Sequence, residues 1–191
     1  IGLGIPAEPL FRSSYGYWYA DLSAGLGAKA LLEDWMVTQF NTNPGEPDYR
    51  TEHFKLYPAF SLRASLMRRY ARRWASGIGA DIFYGTYHHH VRDIEQSGIL
   101  TKGTSTISPC SVGLSAHHEV FYHRLSLAMS LGLYLYRHMG LQAKEIEKPY
   151  YESIGVRYSF LKRNNMYVGV NVNAHLTKAD FTELTLGIRM R

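Results

Sequence analysis

His175, Thr177 and Glu183 are the residues whose types and spacing could do chemistry. A hydroxyl, an imidazole and a carboxylate are the parts of a relay in which the base takes the alcohol's proton and the carboxylate fixes the base's tautomer. They lie in the stretch 165–191, NMYVGVNVNAHLTKADFTELTLGIRMR, where Met166, Val168, Val170, Val172, Ala174 and Leu176 alternate with Tyr167, Gly169, Asn171, Asn173, His175 and Thr177. After 178–180 the alternation resumes, with Leu184, Leu186, Ile188 and Met190 against Glu183, Thr185, Gly187, Arg189 and Arg191. A period of two marks strands with one apolar face, so the stretch reads as a β-hairpin. With 178–180 as the loop and Asp180 in the left-handed conformation such loops need, Thr177 falls opposite Phe181 and His175 opposite Glu183. Opposed residues have Cβ atoms ~4.5–5.5 Å apart, close enough for a carboxylate to orient an imidazole. The plain structural alternative is a satisfied polar trio on a strand face.

Other constellations carry less. His88, His89 and His90 are adjacent, with no carboxylate or Cys at ligand spacing, and read as polar loop rather than as a metal site; His117 and His118 are similar. Arg68, Arg69, Arg72 and Arg73 form a basic turn with no base-stacking module beside it, which argues against nucleic acid. There is no glycine-rich phosphate loop leading into a helix and no paired-Cys motif, so no cofactor or metal is expected.

The elements that must position these residues follow from the rest of the chain. At 191 residues the expectation is one domain, with 1–14 an irregular lead-in and 15–191 a single β-barrel unit. Mean hydropathy is −0.23 and no apolar run approaches the ~18 residues of a transmembrane helix, a profile shared by soluble proteins and by outer-membrane barrels. The lone Cys110 excludes an internal disulfide, and a net charge of +5 suits an acidic partner such as lipopolysaccharide phosphate or anionic lipid. A sequence beginning with Ile suits a chain whose signal peptide has been removed.

Alternation marks eight strands, at about 17–29, 54–66, 77–85, 110–116, 125–136, 153–160, 166–177 and 183–191. Pro58 suits an edge or a bulge in the second. Long polar stretches at 33–52, 88–106 and 138–149 alternate with short links at 68–73, 117–123 and 162–164. Long loops at one end and short turns at the other are expected of an eight-stranded, antiparallel, up-and-down transmembrane β-barrel, with the short turns in the periplasm.

Which face points inward separates such a barrel from a soluble lipocalin-like carrier. Gly25, Gly27, Gly77, Gly79, Gly85, Gly113, Gly132, Gly155, Gly169 and Gly187 all fall on the polar parity, where a narrow lumen needs small residues and a solvated surface does not. Asp21, Lys55, Arg63, Asp81, Arg157, Glu183 and Arg189 share that face and could pair inside. The apolar face is therefore expected to meet lipid. Tyr15, Trp18, Tyr57, Tyr70, Trp74, Tyr84, Tyr87, Tyr150 and Tyr158, near strand ends, suit interfacial girdles.

The His-x-hydroxyl pair near the outer end of the seventh strand, with a Glu early in the eighth, resembles the lipid A 3-O-deacylases of the PagL type, eight-stranded outer-membrane esterases. The motif covers about 17 residues, and the barrel layout covers the rest loosely. The resemblance implies ester hydrolysis on lipid A or lipopolysaccharide in the Gram-negative outer membrane, with no cofactor, by a monomer or weak homodimer. His175 would be the base, Thr177 the nucleophile and Glu183 the orienter. Three departures stand out. The family nucleophile is Ser rather than Thr. The family's oxyanion-stabilising Asn has no counterpart in 178–182, where Asn171 and Asn173 are the nearest substitutes. All three candidates also lie on the luminal parity, so a lipid must reach the barrel mouth, or a bulge near Ala174 must turn the site outward. A non-catalytic barrel that binds lipid or a partner is the alternative.

Overall fold

The computed structural model describes residues 16–30, 56–89, 107–138, 149–160, 165–175 and 178–191. Eight antiparallel strands, β1 (Tyr17–Ala30), β2 (Leu56–Arg69), β3 (Trp74–Gly85), β4 (Cys110–Tyr122), β5 (Leu125–Tyr136), β6 (Tyr150–Phe160), β7 (Met166–His175) and β8 (Lys178–Met190), pair in chain order, and β8 closes on β1. Each is at least 10 residues long, enough to cross a bilayer's hydrocarbon core at the usual tilt. Closure leaves no edge, which backbone groups surrounded by lipid require.

The faces divide as the alternation predicts. Leu22, Leu62, Ile78, Leu114, Leu131 and Leu184 point outward and are exposed, while Asp21, Arg63, Asp81, Glu119, Arg157 and Glu183 are buried inside. An apolar exterior around a charged, filled interior is the inverse of a soluble carrier. The luminal glycines make room for large neighbours: a Cβ on Gly132 would strike the Tyr151 ring, one on Gly187 the Tyr167 ring, and one on Gly155 the Asn171 amide.

Several strands run further than their alternation suggested. β2 continues through Arg68 and Arg69, and β4 through His117 and His118, both read from sequence as links. Charged and imidazole side chains broke the local pattern, but the neighbouring strands continue to pair there. Pro58 sits within β2 opposite Ala28, on the outer face, with its carbonyl accepting from the Thr86 N–H at 3.1 Å. The girdle reading holds for Trp18, Tyr70, Trp74 and Tyr158, which are exposed. Tyr57 and Tyr87 are instead buried. Tyr15, Lys55 and His90 lie outside the described residues.

Two ion clusters fill the lumen. Toward the end with the short connections, Arg157 and Arg189 reach Asp21 and Glu119, with Arg189 Nη2 2.6 Å from Glu119 Oε1. Tyr167 donates to Asp21 and Ser126 to Glu119. At mid-barrel Arg63 Nη2 lies 2.6 Å from Glu183 Oε1, Arg63 also faces Asp81 at 3.9 Å, and Tyr151 donates to Asp81 at 2.5 Å. Buried charges persist only when paired in this way.

Candidate active site

The β7–β8 hairpin carries the proposed relay, and its register differs from the one expected. Asn171 pairs with Glu183 and Asn173 with Phe181, while His175 pairs with Lys178. β8 begins at Lys178 rather than after Asp180, so every pairing moves along the strand. His175 is therefore four residues from the partner of Glu183, ~13 Å at a strand's rise, and Glu183 does not orient it.

Glu183 belongs instead to the mid-barrel cluster. It is fully buried, its Oε1 meets Arg63, its Oε2 accepts from Ser61 at 2.6 Å, and Asn171 Nδ2 donates to it at 3.4 Å. Asn173 Oδ1 accepts from Arg63 Nη2 at 2.7 Å. Both asparagines considered as oxyanion donors are thus bonded within the lumen, below the barrel's mouth. Thr177 lies outside the described residues.

A different carboxylate stands beside the imidazole. The register steps from Asn173↔Phe181 to Ala174↔Ala179, which leaves Asp180 as an extra residue on β8. Strict alternation would put Asp180 on the lipid face with Thr182 and Leu184, but a bulge re-aims side chains. Asp180 turns inward, pairs with the buried Lys29 of β1, and places Oδ2 3.8 Å from His175 Nδ1. The bulge lies where one was anticipated, and it brings a carboxylate in rather than turning the site out.

The far nitrogen of the imidazole meets two donors. Arg137 Nη1 lies 2.7 Å and Tyr134 Oη 2.9 Å from His175 Nε2, and the Tyr134 ring stacks on the imidazole at 5.7 Å between centroids. Arginine can only donate, so Nε2 carries the lone pair and Nδ1 carries the proton, directed at Asp180. That is the tautomer a general base needs, with the Asp180 carboxylate 3.8 Å from Nδ1, beyond hydrogen-bond length but near enough to favour an imidazolium. Arg137 and Tyr134 were not singled out in the sequence: Tyr134 falls on the polar parity of the fifth strand, and Arg137 just beyond that strand's end.

The adjoining wall comes from the start of the β3–β4 connection. Tyr87 and His88 line a small cavity of about 20 Å³ together with Tyr134, Arg137, Asp180 and Phe181. Lys29 Nζ stands 4.2 Å from the Tyr87 ring centre, and His88 Nδ1 donates to the Gly85 carbonyl at 2.8 Å. Burial pushes the His88 imidazole down to about 4, partly offset by that hydrogen bond, so it is neutral near pH 7. His89 turns to Tyr84 instead, at 3.1 Å. Among the described residues no group of three His, Cys, Asp or Glu side chains could hold a metal ion.

Comparison with known proteins adds the following. The model of the family described as acyloxyacyl hydrolase, C-terminal domain, of the PagL type, matches residues 18–191. No curated protein matches the chain. Among solved structures the chain is similar to the crystal structure of Neisserial surface protein A, at 15% identity and a TM-score of 0.42, covering 91% of this chain and 96% of that one.

Proposed function

The chain belongs to the PagL-type acyloxyacyl hydrolase family, whose members sit in the outer membrane and take substrates of the lipid A type, and on that premise we propose that it hydrolyses an ester-linked acyl chain of lipid A. The observation that carries this reading is the Asp180, His175, Nε2 alignment at the end of the barrel from which the long connections leave. That end faces the outer leaflet, where lipid A is held.

In the proposed reaction an alcohol or water gives its proton to His175 Nε2 as its oxygen attacks the acyl carbon, and Asp180 stabilises the imidazolium that forms. Entry of that oxygen takes the place of the Arg137 and Tyr134 donors on Nε2. Released within ~3 Å of the reacting centre, they are suited to stabilise the negative charge on the tetrahedral intermediate. Collapse breaks the bond between the acyl carbon and the sugar oxygen, and the imidazolium returns its proton to the leaving oxygen. In one route Thr177 supplies the hydroxyl and becomes an acyl ester, which a water that gives its proton to His175 Nε2 then hydrolyses, freeing the fatty acid and restoring Thr177; in the other the base activates water directly and Thr177 is dispensable.

Lipid A mass spectra from cells expressing the wild type, His175→Ala, Asp180→Asn and Thr177→Val test the proposal. The wild type should release one acyl chain, and His175→Ala should lose a general-base contribution of roughly 10²–10⁴-fold, abolishing the shifted species. Deacylation by His175→Ala at the wild-type level overturns the site. A non-catalytic barrel is the second reading, favoured by the commitment of Glu183, Asn171 and Asn173 to the luminal network. Unchanged lipid A in wild-type-expressing cells would select it.

A further inference from the structure

At the opposite end of the barrel, where the short connections lie, a polar row crosses the lipid-facing surface. Trp18 pairs with Arg68, Arg68 with Ser76 and Ser76 with His118, so the four stand side by side on β1 to β4. All four point outward, because each shares the parity of exposed apolar residues such as Leu22, Leu66, Ile78 and Leu114. Ser76 Oγ lies 2.8 Å from His118 Nδ1, and Tyr70 Oη lies 3.4 Å from Ser76 Oγ. Trp74 packs edge-on to the His118 ring at 5.3 Å, and the Arg68 guanidinium stands 5.8 Å from the Trp18 ring.

We propose that this row binds the phosphodiester headgroup of a glycerophospholipid in the periplasmic leaflet. Depth supports this. Ser76 is two residues into β3, so a tilted strand puts it about 5 Å above the strand's end, within the headgroup and ester layer. A serine, an imidazole and a guanidinium adjacent on a lipid-facing wall would be costly against acyl chains alone, and a phosphate at this depth satisfies them.

Hydrogen-bond direction supports it as well. When Ser76 donates to His118 Nδ1, a role its hydroxyl is free to take with Tyr70 donating to it in turn, the imidazole proton lies on Nε2 and can donate to a phosphate oxygen. Arg68 offers a planar fork that matches two phosphate oxygens, and its cross-strand neighbours Trp18 and Ser76 are not acidic. Among the described residues the one Asp or Glu side chain on the outer face is Glu152, which lies on β6 near the other end. The charge around the row is therefore cationic and complementary to a phosphodiester. Trp18 and Trp74 flank it with indoles suited to the same interface.

Native mass spectrometry of the micelle-embedded protein, titrated with dioleoylphosphatidylglycerol and separately with dioleoylglycerol, tests the site. The wild type should retain one phospholipid and no dioleoylglycerol. Arg68→Gln should weaken retention about tenfold and His118→Leu about threefold, while Arg191→Gln, which removes a charge at the same end but outside the row, should change it less than about twofold. Heat-modifiable gel mobility confirms that each variant is folded. Where Arg68→Gln does not fold, Arg68→Lys replaces it, with about threefold weakening expected from loss of the fork. Equal retention by wild type and the Arg68 variant, equal weakening by Arg191→Gln, or equal retention of dioleoylglycerol overturns the proposal. None of these readouts depends on lipid A deacylation.

Discussion

Asp180 Oδ2 faces His175 Nδ1 at 3.8 Å, although alternation along β8 would place that aspartate on the lipid side. The extra residue at the bulge inverts its direction, and Lys29 holds it inside. If the pair acts as proposed, Asp180→Asn should lower lipid A deacylation at least tenfold while leaving the barrel folded, since the amide removes the charge that stabilises the imidazolium. Lipid A mass spectra normalised to folded protein check this, and undiminished activity would remove Asp180 from the mechanism.

Arg63 neutralises Glu183 and faces Asp81, so removing it strands two buried carboxylates. Arg63→Met should cost about 3–5 kcal/mol, the range for breaking a buried ion pair from one side. Urea titration of the liposome-inserted protein measures it. A loss under about 1 kcal/mol would mean that water enters the mid-barrel and screens the cluster.

Leu62 lies at the middle of β2 and points outward between Ala24 and Ile82, whereas Leu56 lies at the strand's outer end. Leu62→Arg should destabilise by about 2–4 kcal/mol and Leu56→Arg by about 0–1 kcal/mol, as expected across the depth of a bilayer. Comparable costs at the two positions in the same urea titration would contradict a lipid-facing band.

His88 is held at about 4 by burial, below its unfolded value of about 6.5, so the unfolded chain binds the extra proton between those values. Its contribution is complete above about pH 6.5 and is lost as pH falls toward 4, up to about 3 kcal/mol in all. The unfolding midpoint of the wild type should therefore fall more steeply than that of His88→Asn between pH 7 and pH 4. Parallel profiles would place the imidazole in water.

The sequence made the barrel legible because each strand repeats one rule: Leu125–Tyr136 alternates without interruption, and β5 has those bounds. The luminal glycines were equally readable, since a narrow interior leaves few other places for them. The register of the candidate site was not. It depends on where the hairpin turns, and moving the start of β8 to Lys178 pairs Glu183 with Asn171 rather than with His175. Asp180 reads as a loop residue by type, and nothing local marks it as the inserted position of a bulge. Arg68 and His118 were hidden for a related reason, because a charge or an imidazole on a lipid-facing parity looks like a strand's end until its cross-strand partners are known.

The rings of Tyr151 and Tyr167, seated against glycines and bonded to Asp81 and Asp21, span the bore at two levels. With the guanidinium and carboxylate groups interlocked around them, the barrel should behave as an electrical insulator rather than a pore. Inserted in a planar bilayer under an applied voltage, it should pass no measurable ionic current, and cells that carry it should be no more permeable to small hydrophilic antibiotics than cells without it.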